Sequence, residues 1–532
     1  MTRAWASSPL DTASLPSAVD GKASVEQHAA ATLPSHEEPC FLISHIKLVG
    51  EQSAHFQWLL DAAALPDSAS GRCLGSQGIS LLQRRMQNAL LTAGFVTSRV
   101  LVSPQNLSGG QLQFTLLPGF IHQIKPTADS TPGLRLWNAL PSRPGDVLNL
   151  RDIEQGLENL QRLPSVQADF QIAPTSTADA PPNSSDVLLK WQQHRPYRLL
   201  LQLDDGGNQA TGVLQGSATL AVDHLLTLND LLNLSRSQAL GGGQGGERGS
   251  ENNTVGYSLP LGYWLLGLTL NDGRYRQSVA GAYENYLYHG KNENAALTLS
   301  RLLLRNADSK TGFSLQLWQR KASSFINDAE IDVQRRRMAG WELGVSHETR
   351  LGEGALSASL NYRRGTGARR AQAAPEEAFN EGSARLQLWR AEAQLVLPLR
   401  ALGQAWQFSS VWRGQYNQTP LIPLDRFAIG SRSTVRGFNG DNQLSADRGW
   451  LVRNELGWQH QGREIYLAYD HGEVGGQSAV MLPGRRLAGA TLGSRGQLFG
   501  FDYEVFISKP MQYPTHFRTP SSTGGFSLAY RF

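Results

Sequence analysis

Apolar and polar residues alternate along most of the chain from Pro196 onwards. In the last segment, aromatic and aliphatic side chains occupy every second position, opposite small or charged ones (Phe526, Leu528, Tyr530 and Phe532 against Ser527, Ala529 and Arg531). Because successive side chains of a strand point to opposite faces, this pattern predicts strands with one apolar and one polar face. The polar face of segment 498–508 carries Asp502 and Glu504. A soluble sandwich would bury such carboxylates at high cost, so the pattern favours a transmembrane barrel with a polar lumen.

About sixteen strands of this kind fill residues 196–532. They are predicted at 196–205, 212–222, 226–236, 254–261, 263–275, 284–304, 311–324, 337–349, 354–364, 384–397, 405–416, 449–459, 463–472, 485–495, 498–508 and 524–532. Their connections alternate between short ones (223–225, 351–353, 460–462) and long ones (237–253, 365–383, 417–448). Such alternation is typical of the periplasmic turns and surface loops of transmembrane barrels.

The region before the barrel has a different period. Between residues 40 and 118 the pattern predicts strand 41–49, helices 52–64 and 77–93, and strands 96–102 and 111–117. The same order is predicted again over 119–195, with strand 120–124, helices 134–140 and 148–163, and strands 166–172 and 187–193. We therefore predict two α+β domains with a duplicated architecture. Residues 1–39 form a polar segment with a candidate short helix at 21–32 and a linker at 33–39.

Composition and motif content further limit the class of protein. No apolar run of about 18 residues is present, so the sequence predicts no transmembrane helix. The net charge of +4 is modest, and no basic stripe indicates nucleic-acid binding. The triplet Gly241, Gly243 and Gly246 satisfies G-x-G-x-x-G without a strand-to-helix context, so we interpret it as a flexible surface loop. Catalytic and metal-binding motifs are missing from the sequence, which predicts no enzyme activity, no cofactor and no metal.

Two charged residues, Arg436 and Asp470, are predicted to form an ion pair inside the barrel. Strand 463–472 places Ile465, Leu467 and Tyr469 on one face and Asp470 on the other. If the apolar face meets lipid, Asp470 faces the lumen. Arg436 lies in the longest loop, and a loop of this length could fold inward so that the guanidinium pairs with the carboxylate through two hydrogen bonds. The alternative is a surface arginine and an unrelated lumenal aspartate.

The neighbours of the arginine suit such a folded tip. Gly437 allows a backbone turn that a Cβ atom would hinder, and Phe438 can pack against the interior wall. The motif Val435-Arg436-Gly437-Phe438, followed by a strand with Asp470-x-Gly472, resembles the outer-membrane transporters of two-partner secretion. These include the haemolysin activators and haemagglutinin transporters, which are relatives of the BamA insertase. The sixteen predicted strands and the two α+β domains fit the same family.

Two shorter stretches, Pro39-Cys40-Phe41-Leu42-Ile43 and Arg72-Cys73-Leu74-Gly75, resemble the haemolysin-activator and contact-dependent-inhibition branch. The resemblance implies that the α+β domains are periplasmic POTRA domains and that the barrel lies in the outer membrane. The two cysteines of the chain, Cys40 and Cys73, are then predicted to form a disulfide in the periplasm, the alternative being two free thiols. We expect a secretory signal to have been removed, because the N-terminus lacks a charged head and an apolar core.

The resemblance also implies a function. The protein is expected to bind one large exoprotein (a haemolysin, adhesin or contact-dependent inhibition toxin) by its N-terminal secretion domain, and to export it unfolded without ATP. Residues 435–438, Asp470 and Gly472 would hold the loop inside the barrel, and Phe532 would serve as the assembly signal for the barrel assembly machinery. Lipid and lipopolysaccharide are the other expected partners, and a helix within 1–39 would plug the pore. The alternatives are a BamA-like insertase, which usually carries more POTRA repeats, and a passive porin, which would lack the periplasmic pair.

Overall fold

The structure is a computed structural model that describes residues 32–175, 177, 180–241 and 247–532. Two compact units divide the chain, the first reaching His194 and the second running from Arg195 to Phe532. The candidate plug segment up to residue 31 and two of the loop glycines, Gly243 and Gly246, lie outside the described residues. No helix within the described ranges is long and apolar enough to cross a membrane.

The first α+β domain contains a three-stranded sheet covered by two helices. Its elements are β1 (Phe41–Ile43), β2 (His45–Val49), α1 (Trp58–Ala63), β3 (Arg72–Leu74), α2 (Ser76–Thr92), β4 (Arg99–Leu101) and β5 (Gln111–Leu117). The central strand β5 pairs with β2 in parallel and with β4 antiparallel. Leu82, Met86 and Leu90 of α2 are fully buried at helical spacing, which explains why the helix packs on the sheet by that face.

The single strand predicted at 41–49 is divided into two. The amides of Ser44 and His45 both donate to the carbonyl of Gly110, and this interrupts the strand. As a result β1 pairs with β3, while β2 enters the main sheet. The Cys40–Cys73 disulfide closes beside β1 and β3, with the two Cα atoms 5.3 Å apart, and so confirms the predicted pairing.

A buried ion pair joins α2 to the loop before β3. Arg85 Nη2 lies 2.5 Å from Asp67 Oδ1, and the amide of Leu33 donates to Asp67 Oδ2 at 2.9 Å. Burial acts to raise the pKa of Asp67. The hydrogen bonds from Arg85 and Leu33, together with the charges of Arg85 and Arg72, outweigh burial and hold that pKa below its ordinary value. The linker residue Leu33 is thereby fixed to this domain.

The second α+β domain contains β6 (Phe120–Pro126), α3 (Leu150–Gln161), β7 (Val166–Pro174) and β8 (Ser184–Gln193), with the sheet order β6-β8-β7. The helix predicted at 134–140 is wrong, because turns occupy this stretch. The amides of Ala139 and Leu140 both donate to the carbonyl of Leu136, which closes a single turn, and Pro141 directly after it disfavours continuation as a helix. Leu140 still packs into the core beside Ile153, which accounts for the apolar spacing that misled the prediction.

The second unit is a closed antiparallel barrel of sixteen long strands, as the sequence predicted. The strands are β9 (Tyr197–Asp204), β10 (Gln215–Asp223), β11 (Leu231–Ala239), β12 (Gly249–Leu261), β13 (Trp264–Ala280), β14 (Asn285–Arg305), β15 (Ser309–Ile326), β17 (Arg336–Leu351), β18 (Gly354–Thr366), β19 (Gln387–Ala401), β20 (Gln404–Asn417), β23 (Arg448–His460), β24 (Arg463–Gly475), β25 (Arg486–Leu498), β26 (Phe501–Gln512) and β27 (Thr523–Arg531). The two-residue β16 (Ala329–Glu330) only extends the hairpin after β15. Pairing of β27 with β9 closes the barrel.

Candidate functional site: a loop arginine bound to the barrel wall

Strand β24 presents one face to the outside of the barrel and the other to its interior. Ile465, Leu467 and Tyr469 are 46%, 61% and 51% exposed, whereas Asp470 is fully buried. The structure therefore places Asp470 on the inward face, as period-two alternation predicts.

The 30-residue connection between β20 and β23 folds against this inward face. It contains a small hairpin, β21 (Phe427–Ile429) with β22 (Leu444–Ala446). Val435 is fully buried and Phe438 is 2% exposed, in an apolar cluster with residues of β23, β24 and β25. The ring of Phe438 lies edge-on to Phe517 of the last long connection, with centroids 5.8 Å apart. These apolar contacts hold the loop against the barrel wall independently of the ion pairs described next.

Arg436 and Asp470 form a forked ion pair. Arg436 Nε donates to Oδ2 of Asp470 at 2.7 Å, and Nη2 donates to Oδ1 at 2.8 Å. The backbone amide of Arg436 donates to the same Oδ2 at 2.9 Å. The carboxylate thus binds both the side chain and the main chain of the loop tip, so it fixes the position of the tip as well as its charge.

Further charged residues extend the pair into a network that the sequence reasoning missed. Glu455 accepts from Arg436 Nη1 at 2.6 Å and lies 2.8 Å from Arg495 Nη2. Arg495 also pairs with Glu464 at 2.6 Å. The available signal was alternation: Glu455 lies opposite Ala468 of β24, and both belong to the inward set.

Charges in this network balance. Arg453 lies 3.7 Å from Asp470 and donates to the carbonyl of Ser433 in the loop. The cluster as a whole holds three arginines and three carboxylates (Arg436, Arg453, Arg495, Asp470, Glu455 and Glu464). Buried charges are costly unless paired, so this equality lets the loop tip enter the lumen without an uncompensated ion.

Glycine backbones allow the tip to approach the wall. Gly437 has φ +107°, and a Cβ atom there would lie 2.8 Å from the carbonyl oxygen of Lys509. On the wall, a Cβ at Gly489 would lie 1.8 Å from the carbonyl oxygen of Arg436. A register shift between Ala488 and Gly489 in the β25–β26 pairing marks the same point. Gly489 is a second feature that sequence reasoning missed.

The other predicted site residues lie elsewhere or at the edge of this network. At Gly472 a Cβ would lie 3.1 Å from Val435 Cγ2, so the glycine leaves room for the loop. The amide of Phe532 donates to the carbonyl of Leu199 in β9 at 2.9 Å. The ring of Phe532 lies edge-on to that of Tyr530, with centroids 4.6 Å apart. The geometry thus holds the loop against the wall by non-covalent contacts.

Comparisons with known proteins agree with this architecture. The family described as "Haemolysin secretion/activation protein ShlB/FhaC/HecB" matches residues 183–496. "POTRA domain, ShlB-type" matches residues 41–119, and "POTRA domain" matches residues 120–174.

Individual relatives extend over nearly the whole chain. "Outer membrane transporter CdiB-2" of Burkholderia pseudomallei (strain 1026b) is 33% identical over 525 residues, which are 95% of this chain and 88% of that protein. The solved structure of CdiB from Acinetobacter baumannii has a TM-score of 0.83 and 30% identity, covering 96% of both chains. BamA from Haemophilus ducreyi lacking POTRA domains 1-3 shares the fold alone, with a TM-score of 0.50, 15% identity and coverage of 92% of this chain and 100% of that one. The chain therefore belongs to the ShlB/FhaC/HecB family of two-partner secretion transporters, outer-membrane barrels with periplasmic POTRA domains.

Proposed function

We propose that this transporter exports one large exoprotein, unfolded and without nucleotide hydrolysis, and that the loop between β20 and β23 gates the path. The carrying observation is the Arg436–Asp470 pair, in which the side chain and the backbone amide of Arg436 both bind the carboxylate on the inner wall by non-covalent contacts. A gate must be stable in its seat and yet removable. Non-covalent ion pairs meet both requirements, whereas a covalent tether would not.

Residues 40–118 and 119–195 are proposed to receive the partner before it enters the barrel formed by 196–532. Sheet order places β4 at one edge of the first domain and β7 at one edge of the second. An unfolded chain can add to such an edge through main-chain hydrogen bonds, which tolerate many sequences. The cargo expected from the family resemblance is a haemolysin, an adhesin or a contact-dependent inhibition toxin.

Folding of the cargo outside the cell would supply the direction of transport. The remaining partners are proposed on general grounds: lipid and lipopolysaccharide around the apolar exterior, and the barrel assembly machinery at Phe532. A plug formed by residues 1–39 stays a prediction.

The test is secretion in a host that lacks the system. The full-length transporter is expressed with a candidate large exoprotein, and cargo in the medium is measured against heat-modifiable barrel in the outer membrane. We expect cargo outside only when the transporter is present, and none when residues 41–193 are deleted from a barrel that still inserts. Export by that deletion variant would contradict the partner-binding role, and no export by the intact pair would contradict the function.

A further inference from the structure

The strands that close the barrel share the shortest ladder among the long strands that the structure describes. Strands β9 and β27 pair over five residues, from Leu200–Arg531 to Asp204–Ser527. Each pairs over eight residues with its other neighbour. Two backbone hydrogen bonds lie beyond the ends of the β9–β27 ladder, from Phe532 to Leu199 at 2.9 Å and from Asp205 to Phe526 at 3.4 Å. Because ladder hydrogen bonds hold strands together, we expect the shortest ladder to be the weakest point in the circumference of the barrel.

A second arginine of the inward-folded loop binds where the seam ladder ends. Arg432 Nη2 lies 2.7 Å from Oδ1 of Asp205, the residue directly after β9. The same Asp205 Oδ1 accepts from the amide of Phe526 in β27 at 2.9 Å. Arg432 also donates to the carbonyl of Phe526 at 3.4 Å. One guanidinium therefore contacts both strands of the seam.

The wall around Arg432 is shaped for it. The guanidinium carbon lies 4.3 Å from the ring centre of Phe506 on β26. A Cβ at Gly525 would lie 2.0 Å from Arg432 Nη2, so any other residue there would displace the arginine. The stacking surface, the gap left by glycine and the carboxylate together form a built seat for one planar cation.

Arg432 and Arg436 are joined by a compact turn. The amide of Thr434 donates to the carbonyl of Ser431 at 3.0 Å, and Thr434 Oγ1 accepts from the amides of Gly430 and Ser431. Only three residues separate the two arginines, and the hydrogen-bonded turn fixes the first two of them, so displacement of one arginine pulls on the other.

We propose that Arg432 and Asp205 form a latch that couples the gating loop to closure of the barrel seam. The inference rests on the proposed function of the loop as a gate and adds a regulatory step to it. While the loop is seated, the latch clamps the extracellular end of the β9–β27 ladder. When cargo displaces the loop, the clamp is lost and the barrel can widen at its weakest point.

The test measures the seam directly, with purified full-length protein and no cargo. Cysteines replace Gln202 and Ala529, which are opposite each other across the seam, and disulfide formation is followed by peptide mapping. A second pair replaces Ala358 and Ala393, opposite residues of β18 and β19, and serves as the matched control. The two pairs are compared with and without Arg432→Ala.

We expect Arg432→Ala to lower cross-linking at the seam about two- to fivefold, the range of a partly exposed charge pair, and to leave the control pair unchanged. Asp205→Ala should have the same effect, and combining both should add little. Arg432→Lys should restore only part of the closure because an ammonium lacks the planar fork. Arg413→Ala, which removes a lumenal pair with Glu392 on strands away from the seam, should have no effect.

Equal seam cross-linking with and without Arg432 would overturn the latch. An equal loss at the control pair would overturn it too, because the change would then be general loosening. Neither result would bear on secretion itself. Loss of cargo export by the unmodified transporter would instead contradict the proposed function.

Discussion

Removing Arg436 or Asp470 should unseat the gating loop while the barrel still inserts. Arg436→Ala leaves Asp470, which is fully buried, with the loop amide at 2.9 Å and Arg453 at 3.7 Å. Breaking one half of a buried, hydrogen-bonded ion pair costs about 3–5 kcal/mol. A change of 3 kcal/mol shifts the equilibrium between seated and released loop by about a hundredfold.

The two single variants should not be equal. Asp470→Ala leaves Arg436 bound to Glu455 at 2.6 Å, so its cost should fall at the low end of that range. Arg436→Ala removes both contacts and should cost more. The double variant leaves neither member of the pair without its partner. We therefore expect its loss of secretion to be much smaller than the sum of the losses in the two single variants.

Cargo in the medium, normalised to heat-modifiable barrel in the outer membrane, is the assay. Both single variants should reduce secretion strongly, because a loop that has lost its seat no longer changes between a closed, seated position and an open, displaced one. Arg436→Lys should restore little, since a lysine cannot make the two parallel bonds. Arg274→Ala, which removes a pair with Asp272 on β13, away from the strands that the loop contacts, is the control and should secrete normally. Wild-type secretion by both single variants would refute the gating role.

Three further predictions concern packing and the periplasmic region. Gly489→Ala should impair secretion like Arg436→Ala although every charge is kept, because the new Cβ would clash with the carbonyl oxygen of Arg436. Gly414→Ala is the matched control and should secrete normally, since the nearest atom to its new Cβ lies 3.9 Å away. Reduction of Cys40–Cys73, which closes a loop with a sequence separation of 33, should cost the first domain about 3–4 kcal/mol in the chain-entropy model, measured by urea unfolding of the full-length protein in detergent. An unchanged unfolding midpoint would contradict that estimate. Since the folded pKa of Asp67 lies below its ordinary 3.8, its ion pair stabilises the domain above that pH and the stabilisation is lost as pH falls through the folded value. Asp67→Asn should therefore weaken urea resistance at pH 6 and flatten the acid dependence below pH 4; equal acid dependence in both proteins would contradict this.

Local periodicity determined much of this protein. Alternation alone predicted the strands of the barrel and the inward direction of Asp470, because a strand fixes the face of each side chain from its neighbours. Helical spacing predicted α2 and α3. Local periodicity failed at two places. Residues 134–140 have helical apolar spacing but form a turn, and the strand predicted over 41–49 is interrupted by the carbonyl of Gly110.

Tertiary structure decided the rest. Which inward residues meet the loop depends on how β23, β24 and β25 are aligned, so Glu455 and Arg495 could not be selected from the many charged residues on inward faces. The need for glycine at position 489 arises only because the Arg436 carbonyl approaches that backbone from 53 residues away in the chain. The contact of Arg432 with both strands of the seam exists only once the first and last strands meet. A sequence specifies the direction of a side chain locally, but the partner in that direction is set by closure of the barrel.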